Sequence, residues 1–387
     1  MMNVCFSRFK AWKHLIAIGT LMTAAGCGGG GTVQNNPAGT TKFAQTNLVS
    51  DVAGTAAVTD PNLVNPWGVA FAPGGPFWVS DNHSGKSTLY NGLGAIQALV
   101  VNIPTPSAST GGSATGQVYN GTADFMLADG QPALFIFATE DGTISAWNAS
   151  SGSNAELKVN RSSIPTPATG AVYKGLAIGS NAGGNFIFAT NFRSGTIEVF
   201  GKNFAPAILL GTFTDPNLPA GFGPFGIQNI GGNLFVTYAK QDVLMHDSVA
   251  GIGNGVIDVF DTNGNFVRRF GTGSGAGGTQ TTLNAPWGLA IAPTSFGGFG
   301  SALLVGNFGD GHISAYNVST GAFLGQMQNS TGSIALAIPG LWALVFGNGG
   351  SAGATSTLFF TAGIGDPPNF TTNLEHHGLF GSLLPTP

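Results

Sequence analysis

Histidine and acidic side chains gather in one class of predicted loop in this chain. Five of the six histidines fall in connectors that follow the second strand of a predicted repeat unit. Imidazole suits transition metals and carboxylates suit Ca²⁺, so such a set could hold a divalent ion or bind a ligand directly. Equally, loops collect polar residues that hydrogen-bond their own backbone. The candidate residues are His83, His246, His312, His376, His377, Asp81, Asn82, Glu140, Asp141, Asn191, Arg193, Asp242, Asp247, Asn307, Asp310, Asp366 and Glu375.

No metal centre is assigned from the sequence. Asp81, Asp310 and His376 are the candidate ligands if calcium or zinc is bound. His376 and His377 are adjacent, and neighbours on an extended chain point in opposite directions, so at most one of them would bind a shared ion. The alternative is that all of these are ordinary loop residues.

Three apparent motifs lack the structural context that their chemistry requires. Residues 349–353 read Gly-Gly-Ser-Ala-Gly, the nucleophile-elbow pattern, but a strand rather than a helix is predicted to follow. Residues 273–278 match a dinucleotide fingerprint without a βαβ unit. Residues 261–265 begin like a Ca²⁺ loop, but Phe266 stands where that loop needs glycine. The sequence therefore holds no complete catalytic constellation, and whether the chain is an enzyme stays open.

A repeated segment indicates how these loops are positioned. Residues 65–73 read Asn-Pro-Trp-Gly-Val-Ala-Phe-Ala-Pro, and residues 284–293 repeat this run almost unchanged. Weaker copies occur at residues 173–178, 224–227 and 341–344. A motif that returns at long and fairly regular spacing is typical of a repeat architecture.

The repeats predict an all-β fold, a six-bladed β-propeller with four strands in each blade. Short runs rich in Phe, Val and Ile alternate with Gly, Asn and Pro, as strands alternate with turns. The second unit is predicted to begin with residues 125–128, and the third to end with residues 208–213. The sixth unit lacks a fourth strand, so the N-terminal segment 42–51 is predicted to complete it and close the ring, which removes exposed sheet edges.

This architecture predicts that the candidate residues share one face. Connectors from the second to the third strand open on the same face as those between blades, here called the His-bearing face. Small residues of each first strand let the strands converge on the axis. Large ones pack between blades or cap the channel. Trp67, Trp287 and Trp342 are therefore candidate walls of the channel mouth.

Composition excludes several classes of protein. Charged residues make up 8% of the chain, against about 25% in an average protein. Apolar residues reach 43%, which disfavours disorder. Of the 13 basic residues, Arg8, Lys10 and Lys13 lie in the N-terminal segment, which leaves 10 against 17 acidic ones. This balance argues against a nucleic-acid partner.

The N-terminus is predicted to be a signal peptide spanning residues 1–26. Basic residues precede an apolar stretch at residues 15–22, as in secretory signals. Ala24-Ala25-Gly26-Cys27 resembles a bacterial lipobox, which implies a lipid on Cys27; plain secretion is the alternative. Residues 27–40 form a predicted Gly-rich linker and residues 41–387 a single propeller domain. The expected location is the bacterial cell envelope or the outside of the cell.

Three further segments resemble NHL-repeat propellers. They are residues 66–71 (Pro-Trp-Gly-Val-Ala-Phe), 77–82 (Phe-Trp-Val-Ser-Asp-Asn) and 195–200 (Gly-Thr-Ile-Glu-Val-Phe). The run from residue 45 to 68 resembles an uncharacterised family of exported bacterial NHL-repeat-like β-propeller proteins, and the likeness extends over residues 42–383. This resemblance implies no established activity, so no catalytic residue is transferred from it.

The function expected from the sequence is that of a binding or scaffolding module. Its His-bearing face would meet a protein or glycan at the cell envelope, with the lipid anchor as its contact with the membrane. No cofactor is assigned, and a monomer is expected. The alternative is a divalent-metal-dependent hydrolase or lactonase with its site at the axial channel of the same face.

We expect Cys27→Ser to move the protein from the membrane fraction to the soluble fraction, because the substitution removes the acceptor of the lipid. The measurement is fractionation followed by immunoblotting. Cys5→Ser is the matched control, since Cys5 leaves with the signal peptide and the protein should stay in the membrane fraction. Unchanged fractionation of Cys27→Ser would contradict lipidation.

Overall fold

The computed structural model describes residues 39–270 and 282–387, which form six β-sheets. The strands in chain order are β1 (Phe43–Ser50), β2 (Val58–Thr59), β3 (Pro66–Ala70), β4 (Phe77–Asp81), β5 (Lys86–Tyr90), β6 (Val101–Asn102), β7 (Ala114–Tyr119), β8 (Phe135–Thr139), β9 (Thr143–Trp147), β10 (Glu156–Asn160), β11 (Tyr173–Asn181), β12 (Gly184–Asn191), β13 (Thr196–Phe200), β14 (Phe222–Ile230), β15 (Asn233–Lys240), β16 (Gly255–Asp261), β17 (Phe266–Arg269), β18 (Pro286–Ile291), β19 (Ala302–Asn307), β20 (Ile313–Asn317), β21 (Phe323–Gln326), β22 (Leu341–Phe346), β23 (Leu358–Ala362) and β24 (Leu379–Pro385).

These sheets are the blades of a propeller. Blades 1, 2, 4 and 5 contain β3–β6, β7–β10, β14–β17 and β18–β21. Blade 3 contains β11–β13, and blade 6 contains β22–β24 joined by β1 and β2. The first strand of each blade contacts that of the next, and β22 contacts β3, so the blades form a closed ring. The predicted six-bladed all-β propeller is confirmed. Short 3-10 turns lie at Ala149–Ser151, Pro167–Thr169 and Gly297–Phe299.

Apolar side chains fill the spaces between adjacent blades. Successive residues of a strand point to opposite faces of its sheet, so each blade presents one apolar set to each neighbour. Between blades 1 and 2, Trp78 stacks on Phe135 with ring centroids 4.0 Å apart and contacts Trp147 at 4.7 Å. Six such interfaces hold the ring together through burial of apolar surface.

Glycine permits the strands to converge at the axis. A Cβ atom on Gly226 would lie 2.2 Å from the backbone oxygen of Trp287, and one on Gly116 would lie 2.3 Å from the backbone nitrogen of Leu176. Both distances are shorter than any contact between non-bonded atoms, so these positions admit no side chain. The equivalent positions of the six blades are Gly68, Gly116, Gly175, Gly226, Gly288 and Ala343.

The N-terminal strand closes the ring as predicted. β1 pairs antiparallel with β24 from Phe43–Pro385 to Ser50–Leu379, and β2 adds a short parallel pair to β1. Phe43 is 1% exposed and packs against Phe296 of blade 5 at 5.0 Å between ring centroids. Ser50 Oγ donates to the Gly378 carbonyl at 2.7 Å. β1 and β24 therefore belong to one sheet, which closes the ring.

The start of the second blade differs from the sequence prediction. Residues 125–128 do not form the first strand; β7 does, over Ala114–Tyr119. Phe125 instead lies in a connector with φ 64°, where its ring packs against Phe204. The sequence pattern of β7 does not indicate a buried strand because it contains the polar residue Gln117. Gln117 is buried because its Nε2 donates to the carbonyls of Gly68 and Trp78 in blade 1.

The end of the third blade also differs. Residues 208–213 were predicted as its fourth strand, but they leave the sheet after Ala207 N donates to the Val199 carbonyl at 2.8 Å. The segment then joins blade 4, where Gly211 N donates to Asn263 O and Phe213 N to Gly264 O. The turn between β16 and β17 thus supplies the partners that β13 does not.

The predictions for the N-terminal segment lie mostly outside the described residues. These are the signal peptide 1–26, the lipidation of Cys27 and the linker 27–40 up to residue 38. The glycine run 273–278 also lies outside them. Over residues 39–270 and 282–387, the structure contains no helix with the length and apolar character needed to cross a bilayer.

We expect Phe43→Ala to lower the free energy of unfolding of the whole domain by about 3–5 kcal/mol, because it removes a buried aromatic ring from the closing strand. Urea denaturation followed by tryptophan fluorescence measures the change. Thr46→Ala on the exposed side of the same strand is the control and should change stability by less than about 0.5 kcal/mol. Equal unfolding midpoints for the two variants would refute the role of β1 in closure.

Candidate functional site

One side chain per blade surrounds the axis at the His-bearing face. It belongs to the residue directly before the axial small residue of each first strand. Because the first strands enter from the His-bearing face, these six residues lie at that end of the channel. We call them the axial ring: Trp67, Thr115, Lys174, Phe225, Trp287 and Trp342.

The aromatic members of the axial ring pack into a plug. Trp67 stacks on Trp342 with ring centroids 3.4 Å apart, and Trp287 meets both rings edge-on at 5.9 and 6.0 Å. Phe308 stacks on Trp342 at 4.1 Å. Trp67 and Trp342 are 1% exposed, whereas Trp287 and Phe308 are half-buried. The structure thus brings the three predicted tryptophans together and leaves two aromatic surfaces open to solvent.

A strained residue connects this plug to an acidic side chain. Asn65 has φ 49°, and Ala285 has φ 47° at the same place in blade 5; each precedes a proline. A left-handed non-glycine residue costs about 1–3 kcal/mol and needs support from its surroundings. Asn65 accepts a hydrogen bond from Trp342 Nε1 at 3.0 Å and donates one to Glu375 Oε2 at 2.8 Å. Its side chain therefore fixes both the tryptophan and the glutamate.

Lys174 places a buried cation within the ring. Its side chain forms a very close ion pair with Glu140, and its Nζ lies 3.4 Å from Asp247 Oδ1. The same Nζ lies 5.1 Å from the Trp67 ring centroid and 5.9 Å from that of Phe192. Burial lowers the pKa of Lys174, but the charges of Glu140 and Asp247 outweigh it and leave that pKa above its ordinary value. The side chain is therefore an ammonium ion.

Carboxylates outnumber this cation. Glu140 accepts a hydrogen bond from Asn82 Nδ2 at 2.8 Å. Burial, followed by the charge of Glu140, raises the pKa of Glu375 to about 7, against the opposing effect of Lys174. The hydrogen bond from His246 and the charge of Lys174 lower the pKa of Asp247, although burial opposes them. We call Lys174, Glu140, Asp247, Glu375 and His246 the axial cluster; its net charge at neutral pH is negative.

Three members of the cluster have the geometry of a metal-ligand set. Glu140, His246 and Asp247 each offer one ligand atom, and these atoms lie within 4.8 Å of one another. Within residues 39–270 and 282–387 no other three His, Cys, Asp or Glu residues meet this criterion, so Asp81, Asp310 and His376 are not gathered. Lys174 already pairs with two of the three ligands, so a divalent ion would have to displace its ammonium group.

Several predicted site residues hold connectors in place instead. Asn191 and Asn307 accept hydrogen bonds from the backbone amides of Val172 and Asn284, each at 3.2 Å. Asp81 is fully buried beside Thr88, and burial raises its pKa well above the ordinary value. The other peripheral contacts are Asp141 with Ser113 N, Arg193 with Gly170 O, Asp310 with His312 N, His312 with Leu336 O, His376 with Asp366, and His377 with Asp51. His83 is exposed.

The sequence prediction omitted the two residues that organise the site, Lys174 and Asn65. Both were detectable from the repeat. Lys174 precedes Gly175 as Trp67 precedes Gly68, so aligning the copies on their glycines reveals one lysine among aromatic residues. Asn65 precedes the proline of the most conspicuous copy, where it reads as a turn residue.

The six blades, the N-terminal closure and the axial cluster define this chain as a six-bladed β-propeller with a charged site at one end of its axis. No model of a known protein family matches the sequence. Two uncharacterised proteins of Acanthamoeba polyphaga mimivirus are each 32% identical to it, over 296 and 307 residues. The alignments cover 74% and 77% of this chain and 69% and 77% of the viral proteins. The chain belongs to the family of these mimivirus proteins.

Solved structures with a similar fold include two enzymes. A streptogramin B lyase has 13% identity and a TM-score of 0.48, with 89% of this chain and 97% of the lyase covered. A gluconolactonase from Xanthomonas campestris has 13% identity and a TM-score of 0.47, with coverages of 84% and 87%. Similarity at this level carries no argument about the activity of this chain.

We expect the wild-type protein to lose stability relative to the Glu375→Gln variant as the pH rises from about 4.5 to about 7. The quantity compared is the difference between their free energies of unfolding. The folded state holds the Glu375 proton up to a pKa of about 7, whereas the ordinary value is 4.5. Folded protein therefore binds more protons than unfolded protein between these two pH values. The stability that protonated Glu375 contributes at low pH is lost as the pH rises across this range. The expected change is on the order of 1–3 kcal/mol.

Urea midpoints measured at intervals between pH 4.5 and 8 test this expectation. Glu156→Gln in β10 is the matched control, and its profile should parallel that of the wild type. Parallel profiles for Glu375→Gln and the wild type would show that Glu375 does not titrate in this window.

Proposed function

We propose that this protein is a binding module whose site is the axial cluster together with the half-buried aromatic rings of Trp287 and Phe308. The supporting observation is Lys174, a buried ammonium ion held by Glu140 and Asp247 between aromatic faces. Carboxylates and aromatic rings stabilise a cation in this cluster. This arrangement is typical of sites that bind organic cations, whereas a metal ion would have to displace Lys174.

The exposure of the cluster supports this role. Asp247 has 69% of its side chain accessible and His246 has 34%, whereas Lys174 has 2%. The ammonium group of Lys174 is therefore buried, whereas the carboxylate of Asp247 and the imidazole of His246 remain accessible to a ligand. Binding residues commonly lie on connectors that a rigid scaffold positions, as these do.

The partner we propose is a protein or glycan at the cell envelope. The N-terminal sequence motivates this location: a basic segment, an apolar stretch and Cys27 in a lipobox-like context. An exported and lipid-anchored propeller would present its His-bearing face to the surroundings of the envelope.

A second candidate function is that of a divalent-metal-dependent hydrolase or lactonase. The observation that favours it is the Glu140, His246 and Asp247 set, whose ligand atoms converge within 4.8 Å. Carboxylate and imidazole ligands fit Zn²⁺, and a bound Zn²⁺ would supply Lewis-acid chemistry there. Glu375, half-protonated near pH 7, would be the group placed to give or take a proton.

Glycan and peptide arrays probed with purified protein test the binding function. We expect hits that Asp247→Asn loses and that Asp129→Asn, an exposed acidic change outside the cluster, retains. Hits that survive Asp247→Asn would place binding elsewhere, and the absence of any hit on either array would count against a binding module.

We expect the purified protein to retain no stoichiometric calcium or zinc after dialysis, because Lys174 competes for two of the three ligands. We expect Lys174→Met, checked for folding by circular dichroism, to bind Zn²⁺ at least about tenfold more tightly than the wild type. Elemental analysis measures the retained metal, and calorimetric titration measures the affinity for Zn²⁺. Asp310→Ala is the control and should behave like the wild type in both measurements. Stoichiometric metal in the wild type, lost in Glu140→Gln, would instead support the metal-dependent enzyme.

A further inference from the structure

The connector between β15 and β16, residues 241–254, bears an unusual surface. It carries Val243, Leu244 and Ile252, which are 95%, 69% and 81% exposed. Met245 and Val249 of the same connector are 42% and 38% exposed. Exposed apolar residues concentrated in one connector in this way are typical of an interaction site, whereas singly scattered ones are ordinary. We call residues 241–254 the blade 4 connector.

The connector is held in a defined shape. Asp242 Oδ1 accepts hydrogen bonds from the amides of His246 at 2.8 Å and Asp247 at 3.2 Å, and Asp242 N donates to Asp247 O at 2.9 Å. Val249 N donates to Lys240 O, and Gly251 N donates to Asn284 Oδ1 at 2.7 Å. The apolar side chains are therefore presented by an ordered turn, which reduces the entropy lost when a partner binds.

The same connector brings a carboxylate to the axis. Asp247 follows the apolar residues 243–245, here called the apolar tip, by two to four residues, and its Oδ1 lies 3.4 Å from Lys174 Nζ and 2.8 Å from His246 Nδ1. Its Oδ2 has no hydrogen-bond partner among the described residues, and neither has Oε1 of Glu375. Each of these two carboxylates, whose charges act on Lys174, therefore has one oxygen available to accept a hydrogen bond.

We propose that this surface binds a polypeptide segment in which a Lys or Arg side chain is flanked by apolar residues. The basic side chain contacts Asp247 and Glu375 beside the ring of Trp287, and the flanking residues pack on Val243, Leu244 and Ile252. This inference rests on the proposed binding function and names the chemistry of its partner.

Charge complementarity favours a basic group in this place. Glu140, Asp247 and Glu375 face a single ammonium ion, so the cluster attracts a second cation, and the half-buried Trp287 and Phe308 offer ring faces to it. The adjoining tip is uncharged and apolar. The surface has a carboxylate part and an apolar part. A free amine or an uncharged glycan would match only one of them, whereas a peptide that is both basic and apolar matches both. The negative charge also disfavours an anionic membrane.

The test uses fluorescein-labelled nine-residue peptides and fluorescence anisotropy. One set has a central Lys, Arg, Gln or Glu between Leu and Ile residues, and a second set has the same centres between Ser residues. We expect binding only where Lys or Arg is combined with Leu and Ile. Replacing either part should weaken binding at least about tenfold, which is about 1.4 kcal/mol.

Variants of the protein locate the contact. Asp247→Asn should weaken binding of the Lys and Arg peptides that carry Leu and Ile at least about tenfold, and Leu244→Ser should weaken it by a similar factor. Asp129→Asn and Ile208→Ser are matched controls, because they change an exposed acid and an exposed apolar residue outside this surface. Both should bind like the wild type.

Several outcomes would overturn the inference. One is equal binding of Lys and Gln peptides, and another is equal binding by Asp247→Asn and the wild type. The third is Leu244-dependent binding to phosphatidylcholine vesicles with no binding of any peptide, which would make the tip a membrane contact. If no peptide binds but a glycan binds through Asp247, the inference fails and the proposed function stands. If neither peptide nor glycan depends on Asp247, both fail.

Discussion

The structure depends on the close approach of six strands at the axis. Gly226 lies so near the backbone of blade 5 that a Cβ atom would stand 2.2 Å from a carbonyl oxygen, and Gly116 is as close to blade 3. Once small residues occupy that level, the preceding residue of each strand is forced into a common ring at the His-bearing face. The repeated Pro-Trp-Gly segment is therefore a packing requirement, and the ring that results from it is the place where side chains from all six blades meet.

Lys174 is the member of this ring that packing does not explain. A buried ion pair adds little stability over well-packed apolar residues of similar volume, because desolvation opposes the attraction between the charges. Trp or Phe stands at the equivalent position in four of the six blades, so an aromatic residue is compatible with this level of the axis. The stability of the fold therefore does not account for the lysine and the carboxylates that hold it, and the proposed binding site rests on this difference.

The sequence predicted the architecture because glycine and tryptophan recur where backbone approach and axial packing demand them. It also predicted the closure, since a missing last strand and an unassigned first one belong to the same blade. It misplaced β7 because Thr115 and Gln117 are polar, and their burial depends on carbonyl partners in neighbouring blades. It named Glu140, His246, Asp247 and Glu375 among many candidates on one face but did not group them around Lys174, because Asp247 reaches Lys174 only through the turn of the blade 4 connector, which no spacing along the chain reveals.

The site and the ring closure are joined through one connector. Residues 363–377 of blade 6 carry Glu375, which Asn65 binds at the axis, and His377, whose Nδ1 lies 2.7 Å from Asp51 Oδ2 at the end of the closing strand. Asp51 Oδ1 also accepts a hydrogen bond from Gly378 N at 2.8 Å. The connector that carries Glu375 is therefore hydrogen-bonded to the segment that closes the ring, and any ligand that bound Glu375 only in the folded state would raise the stability of that state.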